Sequence, residues 1–210
     1  MFFADRLDAA DKLATALAAW KGSNPLILAI PRGAVPMGAA LATALAGELD
    51  VVLVHKLGAP GNPEYAIGAI DESGWFFVAD PNAADEAWLQ RERAYRFEQL
   101  RRRRALYSPG RPPADPGGRI AIVVDDGLAT GSTMLAALHA VRSRAPARLI
   151  CAIPVAAQDS LKRVGRHADE TVCLYAPRDF QAVGQFYARF DQVEDDEVIA
   201  CLRRARPSSG

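Results

Sequence analysis

The chain has 210 residues, half of them hydrophobic, which is enough to bury one sizeable core and sets the expectation of a single domain over 1–210. Its 25 Lys and Arg balance 25 Asp and Glu, and with a pI near 6.8 no overall field favours nucleic acid or an anionic membrane, so any anion site has to be local. Cys151, Cys173 and Cys201 form no CxxC pair, and neither a leader nor an apolar stretch of the roughly 20 residues that a membrane helix needs is seen; a soluble, cytoplasmic protein is expected.

In chain order, Leu7, Ala10, Leu13, Ala14 and Leu17 share one face of an amphipathic helix from Asp5 to Trp20. Gly22 to Pro25 break it, and Leu26 to Ile30 reads as a buried strand. A helix is expected from Pro36 to Glu48 and a second buried strand over Val51 to Val54. Next come a Gly/Pro-rich loop at 59–63 and a hairpin of Ala66 to Ile70 with Trp75 to Val78, turning at Asp71 to Gly74. A long polar helix, Asn82 to Tyr107, carries Arg101 to Arg104. Consecutive helix positions point around the axis and Glu92 and Glu98 dilute the charge, so this run reads as a solvated face or subunit contact.

Strand Ile120 to Val124, helix Gly131 to Ser143, strand Leu149 to Ile153, a helix near 157–166 and strand Thr171 to Leu174 complete the alternation, and 206–210 is expected as a disordered tail. Cys151 and Cys173 sit inside apolar runs and read as inert buried thiols. Strands alternating with helices imply an α/β fold whose central parallel sheet is flanked by helices. Ligands of such sheets bind beyond the carboxyl ends of the strands, so the residues after Ile30, Val54 and Val124 are the candidates for chemistry.

The segment from Arg119 to Met134 makes three chemical provisions in succession. An apolar strand delivers Asp125 and Asp126 to a solvent-facing sheet edge, where adjacent carboxylates can accept from vicinal hydroxyls or hold a hydrated divalent cation. Gly127 and Gly131, with the hydroxyls of Thr130, Ser132 and Thr133, can then close around an anion at the positive end of a helix. The bland alternative is an ordinary turn with Ser or Thr as helix cap. No Gly-Lys pair precedes Ser132, so this is not a Walker A loop.

Val123 to Thr133 resembles the signature of the type I phosphoribosyltransferases, an apolar strand, two acids and a Thr-Gly-x-Thr turn, and the likeness in strand order extends over roughly 22–176. The resemblance implies a single phosphoribosyltransferase domain with a core at about 22–176, a flexible β-hairpin loop, and a small hood at about 1–20 and 177–206. It implies that Asp125 and Asp126 bind the ribose hydroxyls of phosphoribosyl pyrophosphate (PRPP), and touch Mg2+ only indirectly through water and PRPP. Ala129, Thr130, Gly131, Ser132 and Thr133 would hold its 5-phosphate.

Ile30 to Gly38 resembles the family's pyrophosphate loop, where Arg32 offers a fork of donors and Gly33 permits close approach of backbone to an anion. Lys56, expected at the end of the second strand, matches the basic residue that serves departing pyrophosphate; His55 has no such support. Catalysis would thus rest on Asp125, Asp126, Lys56 and Arg32. Purine-salvage members commonly carry an acid where this chain has Ala129, which argues against simple hypoxanthine or guanine salvage.

The implied function is transfer of the 5-phosphoribosyl group from PRPP to a nitrogen acceptor of nucleobase type with release of pyrophosphate, Mg2+ travelling with PRPP, in a homodimer without membrane or nucleic-acid partners. In the hood, Phe180, Phe186 and Tyr187 are read either as a stacking surface for the acceptor or as core. The alternative reading of the whole is a non-catalytic, PRPP-sensing regulatory protein that binds nucleic acid or a protein partner.

Overall fold

The computed structural model describes residues 2–80 and 82–205; the 206–210 tail lies outside them. Helix α1, Arg6–Ala16, opens at Asp5, whose carboxylate accepts from the amides of Leu7 and Asp8 at 3.0 and 3.1 Å. Strand β1, Leu26–Ala29, is buried throughout, and helix α2, Val35–Leu45, carries Pro36 in its first turn, where the missing N–H costs nothing. Strand β2 is Glu48–Val51. Strands β3, Val54–Ala59, β4, Asn62–Asp71, and β5, Phe76–Val78, lead to helix α3, Glu86–Tyr107. The remainder is β6, Ile120–Val124; α4, Ser132–Arg142; β7, Arg148–Val155; α5, Gln158–Val164; β8, Glu170–Tyr175; and α6, Asp195–Arg204.

The central sheet runs β2-β1-β6-β7-β8, with every pairing parallel. Side chains alternate across it. Ile27, Ala29, Ile122 and Val124 face a core shared with Leu13 of α1 and Leu41 of α2, whereas Leu28, Ala121 and Val123 pack with Leu138 of α4 and Val164. The expected sheet covered on both faces is thus present. Its strand order reverses between β1 and β6, which opens a crevice at their carboxyl ends.

The second strand lies three residues before its expected place. Helix α2 stops at Leu45 because Ala46 turns left-handed at φ 53°, and the amide of Glu48 is already bonded to the carbonyl of Pro25 at 2.9 Å. Val54 instead begins a separate three-stranded antiparallel sheet, β3-β4-β5. The expected hairpin is there, with Ile70 opposite Phe76, but the 59–63 loop is the end of a longer ribbon in which Ala59 faces Asn62. Gly58, Ala59 and Pro60 carry no alternating apolar signal, so periodicity does not reveal that ribbon.

Two further differences concern charge. Arg104 is buried rather than solvated. Its guanidinium donates to Asp50 at 2.6 Å, to both oxygens of Glu72 at 2.5 and 2.6 Å, and to the carbonyl of Val51 at 2.9 Å, while Arg101 to Arg103 stay exposed. Helix α6 forms within the stretch expected only as variable hood. Acids in its first turn and Arg203 and Arg204 in its last suit the helix dipole, and Val198 and Leu202 are buried one turn apart.

Candidate functional site

Asp125 and Asp126 follow β6 at the crevice. They are less open than a solvent-facing edge implies: both are half-buried, and the Asp126 side chain is 16% exposed. Oδ1 of Asp125 accepts from the amide of Asp126 at 2.9 Å. Oδ2 of Asp126 receives Nε and Nη2 of Arg6, each at 2.9 Å. Burial, and then the charge of Asp126, hold the Asp125 carboxyl well above the usual carboxylate range. Burial also raises Asp126, and the Arg6 guanidinium opposes that rise.

The loop after β1 comes against this pair. The amide of Ile30 donates to the carbonyl of Val124 at 2.9 Å, and the peptide joining Pro31 to Arg32 is cis. Gly33 is required by contact, because a Cβ there would stand 2.1 Å from Oδ2 of Asp126. Arg32 reaches toward α6, with Nη1 3.2 Å from Glu194 and 3.9 Å from Asp195. Lys56 lies within β3 opposite Ala69, on the antiparallel sheet and not at the end of a central strand.

The turn from Gly127 to Thr133 is pinned from below and open above. Leu128 exchanges backbone hydrogen bonds with Val155 and Ala157, Ser160 donates to the carbonyl of Ala129 at 2.6 Å, and Arg163 donates to that of Thr130. Ala129, Thr130 and Thr133 are exposed. Gly131 stands at the start of α4 with φ 74°, and no side chain caps the helix. The Ser or Thr cap of the bland reading is therefore absent, and the first-turn N–H groups face an exposed, hydroxyl-bearing turn.

Five residues join the site without any motif that assigns them to it. Arg6 lies 120 positions from Asp126, and its guanidinium also donates to the carbonyl of Asp191 at 2.6 Å and covers the Phe190 ring at 4.0 Å. Tyr187 is buried and donates its hydroxyl to the carbonyl of Asp126 at 2.6 Å, and Val183 packs so closely on Gly127 that a Cβ there would be 2.3 Å from it. Glu194 and Asp195 hold Arg32. No local motif marks such partners; tertiary contacts such as the pairing of Phe3 with Tyr187 and the bond of Arg6 to Asp191 bring them in. Of the hood aromatics, Phe186 and Tyr187 are core, and Phe180 stacks on Phe186 at 5.6 Å.

Fold and site together define an α/β protein with paired carboxylates beside a glycine- and hydroxyl-bearing turn at the switch point of a parallel sheet. Residues 4–190 match the family described as Phosphoribosyl transferase domain. A Mycobacterium tuberculosis protein (strain H37Rv) bearing the provisional name phosphoribosyl transferase is 41% identical over 207 residues, 97% of this chain and 47% of that protein. This chain thus spans about half the length of the curated relatives it matches. The crystal structure of TT1426 from Thermus thermophilus is 43% identical, with a TM-score of 0.91 over 99% of this chain and 100% of that one. A hypoxanthine-guanine phosphoribosyltransferase from Bacillus anthracis shares the fold, with a TM-score of 0.50 at 12% identity over 86% of this chain and 84% of that one. The chain belongs to the phosphoribosyl transferase domain family.

Proposed function

We propose that the protein transfers the 5-phosphoribosyl group of PRPP to a nitrogen nucleophile, releasing pyrophosphate. One observation carries the reading: Gly33, in the loop after β1, stands against Asp126, and the acid pair leads through a short turn into the uncapped start of α4. The turn at 129–133 would take the 5-phosphate, the carboxylates the ribose hydroxyls, and Arg32 with Lys56 the pyrophosphate. Arg32 must then leave Glu194 as negative charge builds on the leaving group, so its contact counts most in the transition state.

Among the described residues no three His, Cys, Asp or Glu side chains are placed to hold a metal, and Asp126 already carries Arg6. Mg2+ would travel with PRPP, Asp125 and Asp126 would hold it only indirectly through water and PRPP, and its chemistry would be to neutralise charge on pyrophosphate. Residues 1–20 and 177–206 act in this reading as the hood over a 22–176 core, and the protein works as a cytoplasmic homodimer. Ala129 offers no proton relay, so hypoxanthine and guanine should be poor acceptors compared with the nucleobase-like acceptor that the hood selects.

The test is calorimetry of Mg-PRPP with the parent and with Asp125→Asn/Asp126→Asn, followed by acceptor-dependent pyrophosphate release across nitrogen heterocycles. The double variant should lose PRPP affinity while still folded, and the two purines should turn over poorly. Unchanged affinity in the folded double variant would remove the assignment.

A further inference from the structure

The two carboxylates are not equivalent acceptors. A free carboxylate pair offers four oxygens, and a sugar can lean on any of them. Here one oxygen of each is taken. Oδ1 of Asp125 is held by the Asp126 amide, and Oδ2 of Asp126 by the two guanidinium nitrogens of Arg6. That second oxygen is also walled off by the Gly33 backbone. Among the described residues no hydrogen bond from another residue reaches Oδ2 of Asp125 or Oδ1 of Asp126. Each of the adjacent residues thus keeps one oxygen with no hydrogen bond from another described residue.

Arg6 is itself fixed. Its third nitrogen donates to the carbonyl of Asp191, its plane lies on Phe190, and its side chain is 13% exposed. Its fork of donors is thus spent on protein acceptors, which suits it to orient Asp126 and not to bind ligand. Its charge also partly offsets the effect of Asp126 on Asp125.

We propose that Arg6 is a positioning residue that restricts Asp126 to one open oxygen, so that the acid pair recognises a vicinal diol and rejects a sugar lacking one hydroxyl. This rests on the reading that the pair receives a phosphoribosyl sugar. A deoxy sugar leaves one desolvated carboxylate oxygen without a donor, and an unmet charged acceptor is costly. Without Arg6 the Asp126 carboxylate can rotate, either oxygen can turn to water, and that penalty disappears. A purely structural Arg6 would alter affinity for both sugars alike.

The experiment measures ribose 5-phosphate and 2-deoxyribose 5-phosphate binding to the full chain by calorimetry, in the parent, Arg6→Met, Arg6→Lys and Asp125→Asn. The parent should prefer the ribose form by about tenfold or more, the scale of one charge-assisted hydrogen bond. In Arg6→Met the ribose affinity should fall and the preference collapse toward unity. Arg6→Lys keeps the charge without the fork and should show an intermediate ratio, a readout that survives if the Met variant does not fold. An unchanged ratio in either folded Arg6 variant, with the preference lost in Asp125→Asn, overturns the clamp alone. A parent that binds ribose 5-phosphate no better than inorganic phosphate, with no effect of Asp125→Asn, overturns the phosphoribosyl reading and the clamp with it.

Discussion

At the scale of single residues, charge in this protein is governed by what buries it. His55 stands on β3 beside a cavity of about 580 Å3 that Arg96, Gln99, Arg103 and Asp195 also line. Burial, then Arg96, hold its imidazole below the ordinary value of 6.5, with Glu92 opposing and Arg103 and Lys56 adding to the fall. As the pH drops, the unfolded chain takes up its proton first, so stability present above the unfolded pKa is lost as the pH falls toward the lowered folded value. Urea titrations between about pH 7 and about pH 5 should show that loss, and His55→Gln should flatten it. An equal slope in parent and variant would assign the pH dependence to other groups.

At the scale of elements, α3 is fastened by one buried cation. Arg104 joins the helix to Asp50 of β2 and to Glu72, just past β4, and Tyr107 adds a 2.7 Å bond from its hydroxyl to Asp195 at the start of α6. Burial, then that carboxylate, push the Tyr107 phenol up to about 12. Replacing Arg104 leaves two buried carboxylates without their partner. Arg104→Ala should therefore destabilise by about 3–5 kcal/mol, the scale for breaking a buried pair by removing one member. Arg102, which pairs with Glu98 at the surface, should cost less than about 1 kcal/mol when changed to Ala. Chemical denaturation of both variants decides this, and equal losses would contradict the burial argument.

At the scale of the whole molecule, the segment at Phe3 is clasped to the segment at Tyr187 beside the acid pair. Phe3 is buried and pairs with Tyr187, their rings 5.3 Å apart, and backbone bonds run from Phe3 to the carbonyl of Phe186 and from Ala188 back to Phe3. Tyr187 in turn braces Asp126. Phe3→Ala should lower stability by about 3–5 kcal/mol, the range for emptying a buried aromatic site. In protein that remains folded it should also weaken ribose 5-phosphate binding, because the brace on Asp126 loosens. Stability lost with sugar affinity intact would show that the clasp serves the fold alone.

The sequence by itself determined what local pattern can encode. The apolar runs of β1, β6, β7 and β8, each a few residues long, set the parallel sheet, and the one short run from Val123 to Thr133 set the paired acids beside a glycine- and hydroxyl-bearing turn. Even so, β2 slipped by three residues where a left-handed Ala46 ended α2 early, a backbone event that composition does not announce. Only the tertiary structure decided who stands beside the acids. Arg6 and Tyr187 reach Asp126 from 120 and 61 positions away, Glu194 reaches Arg32 from 162, and Arg104 leaves its surface run for Asp50 from 54. Such contacts depend on how finished elements pack, and a linear pattern carries no record of them.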